Sequence, residues 1–357
     1  MLRRRDPVAW AWVTITILLA ASVLNLVLSH DSAPAAGPRA LAAAGADQPP
    51  ANITLPPTTG SPRPSTSSSS SSAPVAPRAF RGPAAPTKPR YTATAFHGLG
   101  AWVDVFDWST QYTHGAPPFG LAEVDRMAAE GTQTMFIQAA RADAPDQAIL
   151  EVGRVQALIA RAHLRGMRVV VWYLPSFEDV NADLAHLLAI AQLPAEAIAV
   201  DIESTKVRDA AERSRRLVTL TQALRRALPG RPIAATVLPP VVTDVINTGY
   251  WPGFPWKAIA SSYDAWQVMD YWTLRTRGSG YRDAYRYTAE NLDRLKANLG
   301  GGEYVMDPIG GIGDQTTIAD IAGFHRAATE RGAVGGSVYD FRTTGASLWA
   351  GLRAFRR

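Results

Sequence analysis

The chain has 357 residues, 47% of them hydrophobic and 19% charged, so it holds enough apolar content for a sizeable core. Its net charge of +5 is spread over Arg3-Arg4-Arg5, the closing Arg353, Arg356 and Arg357, and positions such as Arg213, Arg215, Arg216, Arg225 and Arg226 that read as solvated helix faces. That scatter excludes a nucleic-acid footprint, and zero cysteine excludes disulfides, thiolate metal sites and a cysteine nucleophile.

Residues 1–30 read as a membrane anchor or signal segment. Three arginines precede an almost wholly apolar stretch at 7–28 (PVAWAWVTITILLAASVLNLVL). About 20 such residues cross a bilayer as a helix, whereas a cleaved signal peptide has an apolar core of about 7–15. Length therefore favours an uncleaved single-pass anchor, with the arginines in the cytoplasm and the C-terminal bulk outside. Cleavage would instead give a secreted protein. Residues 31–90 are rich in Pro, Ala, Ser and Thr and have too few apolar residues to build a core, which predicts a disordered linker. As a coil, about 60 residues span on the order of 45 Å, enough to hold a domain off a membrane. Asn52-Ile53-Thr54 within it matches a glycosylation acceptor.

From 91 to 357, strand-like runs alternate with helical patterns. The runs are 98–106, 132–140, 167–174, 197–203, 232–238, 265–272, 304–309 and 334–341. Helical spacing is clearest at 147–165, 209–228, 282–299 and 317–331, with a short eighth helix at 347–357. Gly166, Gly230, Gly300 and Gly332 are placed to close four of them. Alternation of this kind predicts a parallel sheet of the α/β class. Eight units in such a length match a (β/α)8 TIM barrel, which typically takes about 250 residues. A doubly wound sheet would carry a Gly-rich phosphate turn after its first strand. Here Gly98-Leu99-Gly100 opens that strand instead.

A barrel concentrates its chemistry at the C-terminal ends of its strands. Those ends read Asp104-Val105-Phe106-Asp107-Trp108, Gln138-Ala139-Ala140-Arg141, Trp172-Tyr173, Asp201-Ile202-Glu203, Asp270-Tyr271-Trp272, Asp307, and Tyr339-Asp340-Phe341-Arg342. Acids and aromatics thus gather on one rim. Asp201 and Glu203 share a strand face, about 7 Å apart at Cβ by strand rise. Neighbouring acids raise one another's pKa, the condition for a general acid near neutral pH. Glycoside cleavage uses such an acid on the leaving oxygen, and aromatic rings supply faces for sugars. Glu203 is therefore the candidate catalytic acid and Asp201 its assistant. Asp104, Asp340, Tyr271, Arg141, Trp108, Trp172, Trp272 and Asp270 are candidates for sugar binding.

Asp201-Ile202-Glu203 on strand 4 resembles the D-x-E of glycoside hydrolase family 25, the muramidase-type barrels. The Asp104–Trp108 run and Asp340 resemble that family's strand 1 and strand 8 features. Family 18, the chitinase-like barrels, also ends strand 4 in D-x-E and carries Met-x-Tyr on strand 6, matched by Met269-Asp270-Tyr271. The chain departs from family 18 at Ala199, where a longer acidic repeat has Asp, and at Trp272, where an acid usually follows the tyrosine. More loosely, the chain looks like uncharacterised bacterial glycoside-hydrolase-like barrels. The resemblance implies a Glu proton donor, an Asp that helps a substrate 2-acetamido group, and an N-acetylhexosamine glycan.

Plainer roles compete for several residues. Asp201 and Glu203 also suit a structural polar network, with Arg141 as its cation. Asp104 and Asp340 also suit support of Arg342 or of a loop backbone, and Asp107 a cap or turn. Strand alternation puts Asp270 and Tyr271 on opposite faces. His97, His114, His163, His186 and His325 lack metal-ligand spacing, and His163 and His186 read as helix-surface residues. Gly310–Gly313 reads as a tight loop, with Asp314 or Thr316 capping the next helix. No nucleophile elbow is present, and no metal or cofactor is expected. The function expected is a membrane-tethered extracytoplasmic glycoside hydrolase acting on a cell-wall or capsule polysaccharide. The alternatives are a non-catalytic glycan-binding barrel and, third, an envelope scaffold.

Overall fold

Eight parallel strands close on themselves in chain order in the computed structural model, which describes residues 93–113 and 115–357. They are β1 (Gly98–Val103), β2 (Thr134–Gln138), β3 (Arg168–Tyr173), β4 (Ala197–Ile202), β5 (Ile233–Val237), β6 (Ala265–Asp270), β7 (Ile309–Ile312) and β8 (Gly335–Tyr339). β8 pairs back onto β1 through Gly98↔Gly335 and Leu99↔Gly336. The architecture is the (β/α)8 barrel expected from the alternation. The anchor and linker expected over 1–90 lie outside the described residues. Among the described residues, no helix is long and apolar enough to cross a membrane.

Helices α1 (Leu121–Ala129), α2 (Val152–Leu164), α3 (Val180–Ile190) and α4 (Ala210–Ala227) follow the first four strands. A single turn, α5 (Trp256–Ile259), follows β5, and α6 (Ala284–Leu299), α7 (Ile318–Glu330) and α8 (Ala346–Leu352) complete the ring. Carboxylates start several of them: Asp179 accepts from the Asn181 and Ala182 amides, Asp209 from Ala211 and Glu212, and Asp283 from Arg286. Gly300 (φ 102°) and Gly332 (φ 74°) close α6 and α7 in the left-handed region. Gly230 does not: α4 ends at its C-cap Leu228, and Gly230 has no positive φ. α7 is capped by Thr317 with Asp320 in a reciprocal box, rather than by Asp314 or Thr316.

Side chains alternate between the barrel interior and the helix layer. Inside, Trp102 stacks on Phe136 at 4.6 Å, meets Trp172 at 5.7 Å, and donates its indole N–H to Ser337 Oγ at 2.9 Å. Further down, Gln267 accepts from Thr236 Oγ1 (3.1 Å) and donates to Asp307 Oδ2 (2.8 Å). Strand 7 begins later than its sequence suggests: Met306 makes only an isolated bridge to Trp266, and the strand itself is Ile309–Ile312. Gly310 and Gly311, expected in a loop, are therefore strand residues, whereas Gly313 opens the turn that follows. A Cβ on Gly310 or Gly311 would come within 2.6 or 2.9 Å of the Trp272 ring, so the indole fits only against bare backbone.

Candidate active site

β4 delivers Asp201 at its penultimate position and Glu203 one inward step beyond, at the mouth. Asp201 is 8% exposed and Glu203 is half-buried. Tyr250 Oη donates to the Glu203 carbonyl at 3.2 Å. Arg213, against expectation no surface residue, lies 4.1 Å over the Trp251 ring and donates to the Tyr250 carbonyl at 2.7 Å. Ser204 Oγ donates to the Ser176 carbonyl, and the buried carboxylate of Asp183 accepts from the Ser176 and Phe177 amides and from Tyr173 Oη. The loops on both sides of β4 are thus pinned, and the Glu203 backbone with them.

The electrostatics separate this pair from the surface acids. Burial pushes Glu203 up to about 7, and no described cation offsets it. Asp201 is pushed well above the usual carboxylate range, first by burial and then by the Glu203 charge. Its Oδ1 is buried with no hydrogen-bond partner among the described residues. Burial and their mutual repulsion disfavour two charges on this pair, which raises both carboxyls toward the protonated form. Beside Glu203 lies a pocket lined by Leu238, Pro239, Val242, Tyr250, Met269, Tyr271, Leu274 and Arg275, with about 370 Å³ of empty space, open solvent included. A carboxyl raised to near neutrality on the wall of a largely apolar pocket suits transfer of a proton to a bound oxygen.

Across the mouth, Asp104, Asp107 and Asp340 each bring a carboxylate oxygen within 4.8 Å of the others. Asp104 caps the turn Val105–Trp108 through the Phe106 amide (2.8 Å) and accepts from Tyr339 Oη (2.6 Å). Asp340 accepts from Thr343 through its amide and hydroxyl at 2.8 and 2.9 Å, so it also supports its own loop. Asp107 is no surface turn residue: it is 1% exposed and ion-paired with Arg342. Burial raises Asp104; burial and the Asp104 charge raise Asp340 to about 6. Burial, with Asp104 and Asp340, raises Asp107 well above its usual range. The Tyr271 and Tyr339 rings meet at 6.0 Å. Burial first, then the charges of Glu203, Asp201, Asp340 and Asp104, push Tyr271 well above the usual phenol range.

The remaining sequence candidates divide. Arg141 is held by both oxygens of Asp143 at 2.7 Å, under the Phe106 and Tyr112 rings, and makes no bond to Asp201 or Glu203. Trp172 points into the barrel one inward step below Asp201, with its indole N–H unpartnered. Trp108 is fully buried and donates to the Gln138 carbonyl at 3.0 Å. Trp272 is fully buried against Phe324 and β7. Neither ring presents a face to a sugar. Asp270 points outward and accepts from Asn291 of α6 at 2.7 Å, as strand alternation requires. His186 is buried, not superficial, stacked on Tyr173 at 5.1 Å. Sequence reasoning missed Tyr339, Tyr250 and Asp183. The first was legible, because it shares β8's inward phase with Ser337. The other two act from a loop and a helix, where no period marks them.

No protein-family model matches the chain, and no curated protein matches it in sequence. Solved structures do match in fold. A class V chitininase from Pseudomonas fluorescens Pf-5 aligns with a TM-score of 0.52 at 12% identity, covering 72% of this chain and 99% of its own. The spore cortex-lytic enzyme SleL of Bacillus cereus gives 0.52 at 11% identity, over 73% and 74% of the two chains. A mutant plant class V chitinase from Cycas revoluta, in complex with (GlcNAc)3, gives 0.53 at 8% identity, over 72% and 98%. The chain shares the (β/α)8 architecture of these glycoside-hydrolase barrels.

Proposed function

We propose that this chain is a glycoside hydrolase that cleaves a polysaccharide at the C-terminal mouth of its barrel. The observation that carries the reading is the β4 pair: Glu203, raised by burial to about 7, on the wall of a largely apolar pocket, beside Asp201, whose buried Oδ1 has no hydrogen-bond partner among the described residues. Glu203 donates its proton to the leaving glycosidic oxygen as the bond lengthens. Asp201 then faces the growing positive charge, or the polarised amide of a 2-acetamido group that attacks the anomeric carbon. The likeness in fold to chitinases and to a cortex-lytic enzyme supports a glycan with N-acetylhexosamine units. The apolar stretch at 7–28 and the Pro/Ser-rich stretch after it support a membrane-tethered, extracytoplasmic protein acting on wall or capsule polysaccharide.

The test is reducing-end release from a panel of wall and capsule glycans by the full-length chain, with Glu203→Gln in parallel. Release by the wild type, falling about 10²–10⁴-fold in the variant, is the expected result. Undiminished release by Glu203→Gln would remove its role. Binding by both proteins without release would favour the glycan-binding alternative.

A further inference from the structure

The pocket beside Glu203 holds a charge that proton transfer does not use. Two arginines are buried among the described residues, Arg213 at 2% exposure and Arg275 at 8%. Arg213 donates to the Val207 and Tyr250 carbonyls and lies over the Trp251 ring. Arg275 makes no ion pair and no side-chain hydrogen bond among the described residues. Its Nε is buried without a partner, and its guanidinium meets only the Tyr287 ring, with Cζ 5.8 Å from the centroid. Burying an unpaired charge is costly. A carboxyl escapes that cost by keeping its proton, as the rise of Glu203 shows, but a guanidinium stays charged at every pH the fold meets. Only an anion or a set of acceptors offsets it.

The pocket does not supply that anion. Arg275 lines it together with Glu203, and the other lining residues are apolar or tyrosine. Glu203 is set by burial, with no contribution from Arg275, so neither is the other's counter-ion. The lining therefore offers a ligand a carboxyl able to give a proton, an apolar surface, and one fixed positive charge whose donors are unspent. A sugar with a single anionic substituent complements that set. The planar fork of N–H donors on a guanidinium matches the two oxygens of a carboxylate. A phosphate monoester, with up to two charges, would leave one uncompensated beside two acids that already disfavour negative charge.

We infer that the sugar bound beside Glu203 carries a carboxylate, and that Arg275 selects it by receiving that carboxylate in the pocket. The inference rests on the glycosidase reading above and narrows its substrate class to acidic glycans. The carboxylate belongs to the ring, as in a uronic acid, or to a lactyl ether on a hexosamine.

The test is calorimetric binding to the full-length chain carrying Glu203→Gln, which blocks turnover. Two acidic hexasaccharides are the probes, one alternating N-acetylhexosamine with uronic acid, the other alternating it with a 3-O-lactyl hexosamine. Each is compared with its own form in which the carboxyls are reduced to alcohols, and with a 6-sulfated N-acetylhexosamine hexamer. One acidic hexamer should bind about tenfold tighter than its reduced form at low salt, and which one does so identifies the source. The advantage should shrink as salt rises. Adding Arg275→Met should bring acidic and reduced forms level. Arg275→Lys, which keeps the charge and loses the fork, should keep part of the advantage. Near-ultraviolet circular dichroism checks the fold. If Arg275→Met does not fold, an advantage that neither salt nor Arg275→Lys reduces overturns the inference. Equal binding of both acidic hexamers and their reduced forms also overturns it. So does an advantage that Arg275→Met retains, and so does tighter binding of the sulfated hexamer than of either carboxylate. Wild-type cleavage of a neutral polymer as fast as an acidic one would sink this inference alone. Carboxylate preference in binding, without cleavage of any polymer, would sink only the glycosidase reading.

Discussion

At the scale of single residues, the proposed chemistry turns on where one proton sits. Glu203 is raised to about 7 by burial, so its acid form persists through neutrality and is lost above it. A general acid works only while protonated. kcat/KM should therefore fall about tenfold per pH unit on the alkaline side of pH 7, a slope that Glu203→Gln abolishes. A pH-rate profile of both proteins checks this. Asp201→Asn should lower the rate by about 10²-fold yet leave the alkaline limb in place, because burial, which that change preserves, is what raises Glu203. The pair itself was legible in the sequence, since two acids two residues apart on an apolar strand must share a face. Arg141 was not. An arginine at a strand end satisfies whichever carboxylate comes first, and Asp143 is only two residues on.

At the scale of elements, eight alternations specified eight strands, and the errors fell where glycine replaced side-chain pattern. β7 is Ile309-Gly310-Gly311-Ile312, two apolar residues around a bare backbone, and nothing in that string declares a strand. Its partner supplies the missing bulk. Trp272 lies on the glycines and against Phe324, which is why that tryptophan is core and not a sugar platform. Trp272→Ala should cost about 3–5 kcal/mol by chemical denaturation, as large aromatic deletions do. Glycan affinity of the folded fraction should be unchanged. A selective loss of affinity with intact stability would return Trp272 to the binding surface. Asp270 follows the same logic, because the inward step belongs to Met269 and Tyr271 and leaves Asp270 for α6.

At the scale of the whole molecule, the barrel carries buried acids at both depths, and the proposed chemistry belongs to those at the mouth. Deep in the interior, Asp307 is 1% exposed, with Oδ1 unpartnered and Oδ2 accepting from Gln267. Burial raises it from 3.8 to about 8. The folded chain keeps that proton until about pH 8, whereas an unfolded aspartate releases it near 4. Its contribution to stability is therefore greatest below pH 4, declines as pH rises toward 8, and is constant beyond. Asp307→Asn mimics the protonated group, so thermal unfolding of the variant should vary less with pH over that interval. An unchanged pH dependence would show that Asp307 is ionised in the fold. The separation of a sealed interior from an open mouth follows from strand direction, which the sequence pattern does convey. Which mouth acids touch one another depends on loop closure at β1 and β8, which it does not.

The role of Glu203 as proton donor is tested by comparing two substrates in wild type and Glu203→Gln, both as full-length chains. One is the glycan polymer that the wild type cleaves. The other is an aryl glycoside of the same sugar, whose acidic phenol departs without needing a proton. If Glu203 is the proton donor, the variant should lose about 10²–10⁴-fold on the polymer and only a small factor on the aryl glycoside. Equal losses on both substrates would contradict the assignment and make Glu203 a residue that holds the site together without donating the proton.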